Sequence, residues 1–386
     1  MSVSGPQGFR AAGVAAGIKS NGRPDLALVV NDGPRFAAAG VFTRNKVKAA
    51  PVLWSQQVLA DGRLRAVVLN SGGANACTGP EGFQTAHATA ERAAELLEVG
   101  PIDVAICSTG LIGAQLPRGA VLDGVAAAVA ALAADAGAGL AAATAVMTTD
   151  TVAKEAAHVD PAGWRIGGFT KGAGMIAPSM ATMLTVLTTD AVLDASELHA
   201  ALRAAVRVSF DRLDIDGSMS TNDTVLLLAS GASGTEPEPD AFTAALTVVC
   251  RDLAEQMQAD AEGVTKRIRV RVTGAADEDD AVTIARSVAR DSLVKTALFG
   301  SDPNWGRVAA AAGYAEAQLD PERLDVTING ALLCRGGAAA GDRSAADLTS
   351  KDVLVEVELG LGDGTAEILT TDLSHAYVEE NSAYSS

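Results

Sequence analysis

The chain has 386 residues, 48% hydrophobic and 20% charged, which excludes an intrinsically disordered protein and allows one large or two ordinary domains with a sizeable core. Asp and Glu number 47 against 30 Lys and Arg, a net charge of −17 that repels phosphate backbones and argues against nucleic-acid binding. The cysteines, Cys77, Cys107, Cys250 and Cys334, form no C-x-x-C pair, which fits reduced thiols in the cytoplasm and neither a disulfide framework nor a metal centre.

The N-terminus, MSVSGPQGFRAAG, lacks the basic and apolar regions of a signal peptide. Residues 25–43 read as two strands around an Asn-Asp-Gly-Pro turn, followed by a helical segment near Pro51 to Leu59 and a strongly apolar strand from Leu64 to Leu69. That strand runs into Asn70-Ser71-Gly72-Gly73-Ala74-Asn75, where glycines let backbone N–H groups turn toward a ligand. An ordinary tight loop is the plainer reading. After a helix over Gly82 to Leu97, the strand Asp103 to Cys107 delivers Ser108-Thr109-Gly110 in the same strand-then-turn arrangement. The Ala-rich stretch from Gly124 to Met147 is interrupted by Asp135, so a buried helix or helix pair is expected rather than a membrane span. It ends in Thr148-Thr149-Asp150, a triplet that recurs at Thr188 to Asp190 and Thr370 to Asp372 without a repeat spacing.

The segment Lys171 to Asp190, KGAGMIAPSMATMLTVLTTD, carries the most chemistry. A glycine-rich turn and Pro178 lead into Thr182 to Asp190, rich in Thr, Leu and Val, which reads as a buried strand with a threonine at its start. A threonine hydroxyl becomes a nucleophile when a base takes its proton, and the base can be its own α-amine once the chain is cut before it. An α-amine has a pKa of about 7.7–8.0 and so accepts a proton near neutrality without a histidine. In the uncut chain the Thr182 hydroxyl can attack the Ala181 carbonyl through a five-membered ring. The plainer reading of Thr182 is a β-branched residue suited to a strand.

Further on, Asp194 to Phe210 reads as an amphipathic helix capped near Ser196 with Glu197. The acidic run Asp214 to Asp223 is not a calcium loop, because Gly217 stands fourth where an EF-hand needs glycine sixth. A loop, Gly234 to Asp240, precedes a long helix through Gln258. The strand Arg267 to Thr273 alternates Ile268, Val270 and Val272 with arginines, which places one face in a core and the other in solvent. A helix begins in Asp277 to Asp280, and Asp302-Pro303-Asn304-Trp305-Gly306-Arg307 reads as a structured turn. Two hairpins are expected, around Asn329-Gly330 and around Gly360 to Gly364, followed by a C-terminal segment that would ordinarily fray.

Several of these segments, KGAGMIAPSMATML with its TTD, NSGGANACTG, the STG turn, DxDG…TND, AEG-T-K and DPNWGR, together resemble the ornithine acetyltransferases, also called glutamate N-acetyltransferases, of arginine biosynthesis. The resemblance runs from near the N-terminus to the last residue. It implies self-cleavage between Ala181 and Thr182 into an α chain 1–181 and a β chain 182–386, with both contributing to one catalytic core. It further implies Thr182 as nucleophile, Thr109 and Gly110 as an oxyanion hole, and Thr148, Lys171, Thr182, Glu262, Asn381 and Ser386 as substrate contacts. The reaction implied is ping-pong acetyl transfer from N2-acetyl-L-ornithine to L-glutamate through an acetyl-threonine. No metal or cofactor is required, acetyl-CoA being a candidate second acetyl donor, and the assembly implied is an α2β2 heterotetramer.

The expected fold is α/β or α+β, a layered sandwich of mixed sheets and helices, which the resemblance likens to N-terminal-nucleophile folds. The second reading is a self-processing amidohydrolase or aminopeptidase of the same fold. Gly172-Ala173-Gly174-Met175-Ile176-Ala177 also fits a dinucleotide-binding G-x-G-x-x-A, but Pro178 and the β-branched run beyond it do not continue into the helix such a site needs. The histidines, His87, His158, His199 and His375, stand in helical or acidic contexts without a hydrolase motif. A non-catalytic interaction module would explain the alanine content but not the Thr182 region.

Overall fold

The computed structural model describes residues 2–177 and 183–383 and divides into two units, one of residues 1–211 with 218–257 and one of residues 212–217 with 258–386. The first unit follows the chain order β1 (Phe9–Val14), β2 (Leu26–Asn31), β3 (Ala37–Phe42), α1 (Ala50–Val58), β4 (Ala66–Asn70), α2 (Gly79–Leu97), β5 (Val104–Ser108), α3 (Arg118–Ala130), α4 (Ala136–Ala145), β6 (Lys154–Val159), β7 (Arg165–Lys171), β8 (Leu184–Thr189), α5 (Ala195–Arg207), β9 (Thr224–Ala229) and α6 (Pro239–Ala259). The continuous apolar runs become strands buried at every residue, as in β2, β4, β5, β8 and β9.

Among the described residues of this unit the strands form two mixed sheets, β1-β2-β4-β5 and β3-β9-β8-β7-β6. The two strands read around the Asn-Asp-Gly-Pro turn are present, but they do not pair: β2 joins the first sheet and β3 the second. In the second sheet β8 lies between β7, antiparallel, and β9, parallel. The Ala-rich stretch is the expected helix pair, α3 and α4, with Asp135 capping α4 through the Ala138 N–H. Its small residues have a use, because a methyl group on Gly13 of β1 would come within 2.0 Å of the Ala141 carbonyl oxygen of α4. Backbone packs on backbone there, which larger side chains on either element would prevent. The cap of α5 is Asp194 rather than Ser196: its carboxylate accepts from the Ser196 and Glu197 N–H groups while Glu197 reaches back to the Asp194 N–H.

The second unit contains β10 (Arg267–Ala275), α7 (Glu278–Arg290), α8 (Ser292–Phe299), α9 (Trp305–Gly313), β11 (Asp325–Ile328), β12 (Ala331–Arg335), β13 (Ala338–Ala339), β14 (Asp352–Glu358), β15 (Gly364–Thr371) and α10 (His375–Ala383). Its strands run in the order β13-β12-β11-β14-β10-β15, with α7 packed on β10 and β15. The hairpin around Asn329-Gly330 joins β11 to β12 as expected. The hairpin expected around Gly360 to Gly364 is not formed. β10 lies between β14 and β15, with Val270 opposite Val355 on one side and Ile368 on the other, and the loop crosses its end through bonds from Leu359 N to Thr273 O and Leu361 N to Gly274 O. The arginines of β10 are partly exposed and ion-paired, Arg267 with Asp352, Arg269 with Glu367, and Arg271 with both Glu356 and Glu367. The acidic helix splits into α7 and α8 at Asp291, and DPNWGR is a turn only as far as Asn304, which caps α9.

Substituting Gly13 by Ala forces α4 away from β1. The variant should lose about 1–3 kcal/mol of stability, the usual cost of overpacking, read as a lowered thermal or urea midpoint with secondary structure retained.

Candidate functional site

The parallel pairing of β4 and β5 sets Asn70 beside Ser108 at their carboxyl ends, so the two glycine-bearing turns leave the sheet together. Ser108 Oγ donates to Asn70 Oδ1 (2.5 Å), Asn70 Nδ2 donates to Gly73 O (3.0 Å), and the Thr109 N–H donates to Asn70 O (2.9 Å). Thr109 is thereby fixed and buried. Gly110 follows at φ +130°, and a methyl group on it would lie 2.7 Å from the Gly73 nitrogen, so the turn admits only glycine.

The adjacent end of the second sheet carries the charged groups. Lys171 closes β7 opposite Leu184, and Lys154 opens β6 opposite Thr170. Lys171 Nζ donates to Thr148 Oγ1 at 2.7 Å and to Thr109 Oγ1 at 3.3 Å. Behind it stands Asp150, whose Oδ1 accepts from Lys154 Nζ (2.7 Å) and the Gly172 N–H (2.7 Å), while Oδ2 accepts from the Thr148 N–H (3.0 Å) and lies 3.9 Å from Lys171 Nζ. All three charged side chains are essentially inaccessible to solvent. Burial by itself raises the Asp150 pKa, but the ammonium groups of Lys171 and Lys154, with the hydrogen bonds from Lys154 and Gly172, outweigh it and hold the carboxyl well below the usual carboxylate range.

The Thr221-Asn222-Asp223 segment, just before β9, joins the two sheet ends. Asn222 Nδ2 donates to Ala74 O (2.6 Å) and Ser108 O (2.8 Å), so one amide fastens both glycine-bearing turns. Asp223 Oδ1 accepts from the Met183 N–H at 3.1 Å, and the Thr224 N–H returns a bond to Met183 O at 3.1 Å. The backbone that enters β8 is therefore held from both sides.

In the second unit, Asn381 of α10 donates through Nδ2 to Glu262 Oε2 at 2.9 Å. The contact is supported at Gly263, where a methyl group would meet the Tyr377 nitrogen at 2.1 Å, and by Ser374 Oγ donating to Gly263 O at 2.6 Å. The C-terminal segment is thus helical through Ala383 rather than frayed. Elsewhere in this unit burial pushes Lys295 down to about 8 against the carboxylates of Asp214, Asp216 and Asp372, and its ammonium donates to Ile215 O and Thr370 Oγ1.

Of the expected site residues, Thr109, Gly110, Thr148 and Lys171 come together in the first unit, and Glu262 meets Asn381 in the second. Ala181, Thr182 and Ser386 lie outside the described residues. Sequence reasoning did not single out Asp150 and Lys154, and it reached Asn222 and Asp223 only within the DxDG…TND match, as part of a segment that could shape the pocket. Asp150 stood beside Thr148 in a triplet that looks like any polar strand end, and nothing in KEAAHV marks Lys154 as buried. Among the described residues the next element after the glycine-rich 172–177 turn is the strand β8, not the helix of a dinucleotide site. Among the described residues no three His, Cys, Asp or Glu side chains gather as metal ligands, and no helix is long and apolar enough to cross a membrane.

The family model for ArgJ matches residues 10–386. The chain belongs to the ArgJ family. The arginine biosynthesis bifunctional protein ArgJ of Mycolicibacterium paratuberculosis is 62% identical over all of this chain and 96% of its own length, and the ArgJ protein of Thermobifida fusca is 58% identical over the whole of both chains. A crystal structure of ornithine acetyltransferase from Mycobacterium tuberculosis, complexed with ornithine, is 61% identical over 46% of this chain and 94% of that chain, with a TM-score of 0.46.

Asp150→Asn removes the carboxylate between two buried ammonium groups and should cost about 3–5 kcal/mol, as breaking a buried ion pair does, seen as a large drop in the urea midpoint. In the unaltered protein the folded Asp150 carboxyl titrates below its unfolded value. Its stabilisation is therefore present above about pH 4 and is lost only as pH falls through the depressed folded value. An acid titration of stability should show the D150N deficit persisting from neutrality down to pH 4 and narrowing below it.

Proposed function

We propose that the chain transfers the acetyl group of N2-acetyl-L-ornithine to L-glutamate in arginine biosynthesis, after cutting itself between Ala181 and Thr182. The observation that carries this reading is the buried Lys171 ammonium, which gathers the Thr109 and Thr148 hydroxyls at the end of the sheet where β8 begins at Leu184. Similarity along the whole chain to relatives named bifunctional ArgJ supports it.

Cleavage would give an α chain 1–181 and a β chain 182–386 whose first residue is the nucleophile. The Thr182 hydroxyl gives its proton to its own α-amine and attacks the acetyl carbonyl carbon. The Thr109 hydroxyl and the Gly110 N–H receive the developing oxyanion. As the tetrahedral intermediate collapses, the carbon–nitrogen bond breaks and the departing ornithine amine takes up the proton. The glutamate amine then attacks the acetyl-threonine by the reverse sequence, so donor and acceptor share one apparatus. Thr148, Lys171, Glu262, Asn381 and Ser386 contact the amino-acid substrates. A lysine suits a carboxylate and a glutamate suits an ammonium. The word bifunctional in the relatives' names supports acetyl-CoA as a second acetyl donor to glutamate. The assembly is an α2β2 heterotetramer in the cytoplasm.

Intact mass under denaturing conditions tests the processing step. The wild-type chain should give two fragments matching residues 1–181 and 182–386, and Thr182→Ala should give one uncut chain with no acetyl transfer. A wild-type chain that stays whole while transferring acetyl groups would overturn the reading. For the oxyanion role, Thr109→Ala should lower kcat by about 10²–10³-fold, measured as ornithine release from N2-acetylornithine with glutamate saturating, while cleavage at residue 181 is checked separately by mass.

A further inference from the structure

The turn between β1 and β2 and the segment after α4 together line a cavity of about 650 Å³. Asp25 shapes that turn, accepting the Ala16 N–H (2.6 Å), the Ile18 N–H (2.7 Å) and the Lys19 N–H (2.8 Å). The turn lies on the first glycine-bearing turn, because a methyl group on Gly72 would come within 2.2 Å of Ile18 Cγ2. Gly73 pairs in its turn with Thr109. The cavity therefore adjoins the site of Thr109, Thr148 and Lys171.

Its polar lining suits an anion. Lys19 Nζ reaches the other segment and donates to Met147 O (2.7 Å), and less closely to Pro24 O (3.3 Å), so the half-buried ammonium is held in place with a third N–H to offer. Arg23 lines the same cavity from an exposed position on the turn. Thr148 and Thr149 line it too, and the Thr148 hydroxyl, having accepted from Lys171 Nζ, keeps its own hydrogen for a ligand. The one acidic residue of the lining, Asp150, is already engaged by Lys154 and Lys171. In a chain of net charge −17 this is a local excess of positive charge. Burial lowers the Lys19 pKa, with the Lys171 and Arg23 charges adding to the effect against Asp25 and Asp150, and a bound anion would offset that cost.

We propose that this cavity takes the side-chain carboxylate of the acetyl acceptor, with Lys19 and Arg23 selecting glutamate, an inference that rests on the function proposed above. Donor and acceptor share the α-nitrogen and the α-carboxylate and differ at the far end of the side chain, an ammonium in one and a carboxylate in the other. No single partner serves both, since a glutamate such as Glu262 attracts the ammonium and repels the carboxylate. A separate cationic pocket beside Lys171 removes the conflict. Thr148, hydrogen-bonded to Lys171 and lining the cavity, belongs to both places.

Steady-state kinetics on the full-length, self-processed protein test this. In a ping-pong reaction kcat/KM for each substrate reports its own half-reaction, so the ratio of the glutamate value to the N2-acetylornithine value isolates recognition of the acceptor. Lys19→Gln should lower that ratio about 10–100-fold, the loss of a charge-assisted hydrogen bond. Arg23→Glu, at an exposed position, should lower it about fivefold and decides the matter if K19Q does not fold. Equal losses for both substrates are those of a residue that only pins the turn, and overturn the proposal. So does a fall in kcat/KM for acetyl-CoA with the ratio unchanged, which would make the anion a phosphate. A wild-type ratio in both variants overturns it while the function reading stands. A wild type that moves no acetyl group from N2-acetylornithine to glutamate removes that reading, and this inference with it.

Discussion

The candidate site in the first unit depends on one buried carboxylate. Asp150 has two ammonium groups to neutralise and two backbone N–H groups to satisfy, and each of the four arrives from a different place in the chain: Lys154 on β6, Lys171 at the end of β7, Gly172 beyond it, and Thr148 from the segment after α4. Desolvating these charges is expensive, so the arrangement persists only because the remaining hydrogen-bonding capacity is filled as well. Geometry and charge are therefore coupled. Lys171 reaches Thr109 and Thr148 from one direction because its stem is locked in the sheet and its head is held by Asp150. A lysine free to move would spread its charge over solvent and lose that aim.

Around this centre the protein is built from small residues and short reaches. The sheet ends meet through Asn222, whose single amide bonds both Ala74 and Ser108, and the Gly110 turn lies against Gly73 with no room for a methyl group. The scarcity of aromatics in the composition matches this construction. Where α4 lies on β1 the contact is backbone against backbone, and rigidity comes from close approach more than from large interlocking side chains.

Much of this was legible in the sequence, in a consistent order of difficulty. Apolar runs such as Leu64 to Leu69 and Asp103 to Cys107 announced β4 and β5, and the glycines after them announced turns of special shape. Asp135 interrupted the Ala-rich stretch as a charge, and in the fold its carboxylate caps α4 at the break after α3. Pairing was harder. The β14 and β15 segments looked like neighbours because they are neighbours in sequence, yet β10 fits between them, since its own alternating apolar face matches both. The buried charges were hardest. Nothing local distinguishes Lys154 or Asp223 from a solvated residue, because their burial is decided by strands distant in the chain. Met183, just past the stretch that the motif marked most strongly, is held by Asp223 and Thr224.

The order of the second sheet, β3-β9-β8-β7-β6, bears on what happens to a chain opened before residue 182. Counting from β3, the strands would come from the first fragment, the second, the second, the first and the first. The new terminus would lead straight into β8, a strand hydrogen-bonded on both edges, so the two fragments would share one sheet and could not separate as folded bodies. Dissociation and unfolding would become the same event. Such a protein behaves as an interlocked pair: halves made on separate messages would have to fold around one another, and mixing already folded halves would not restore it.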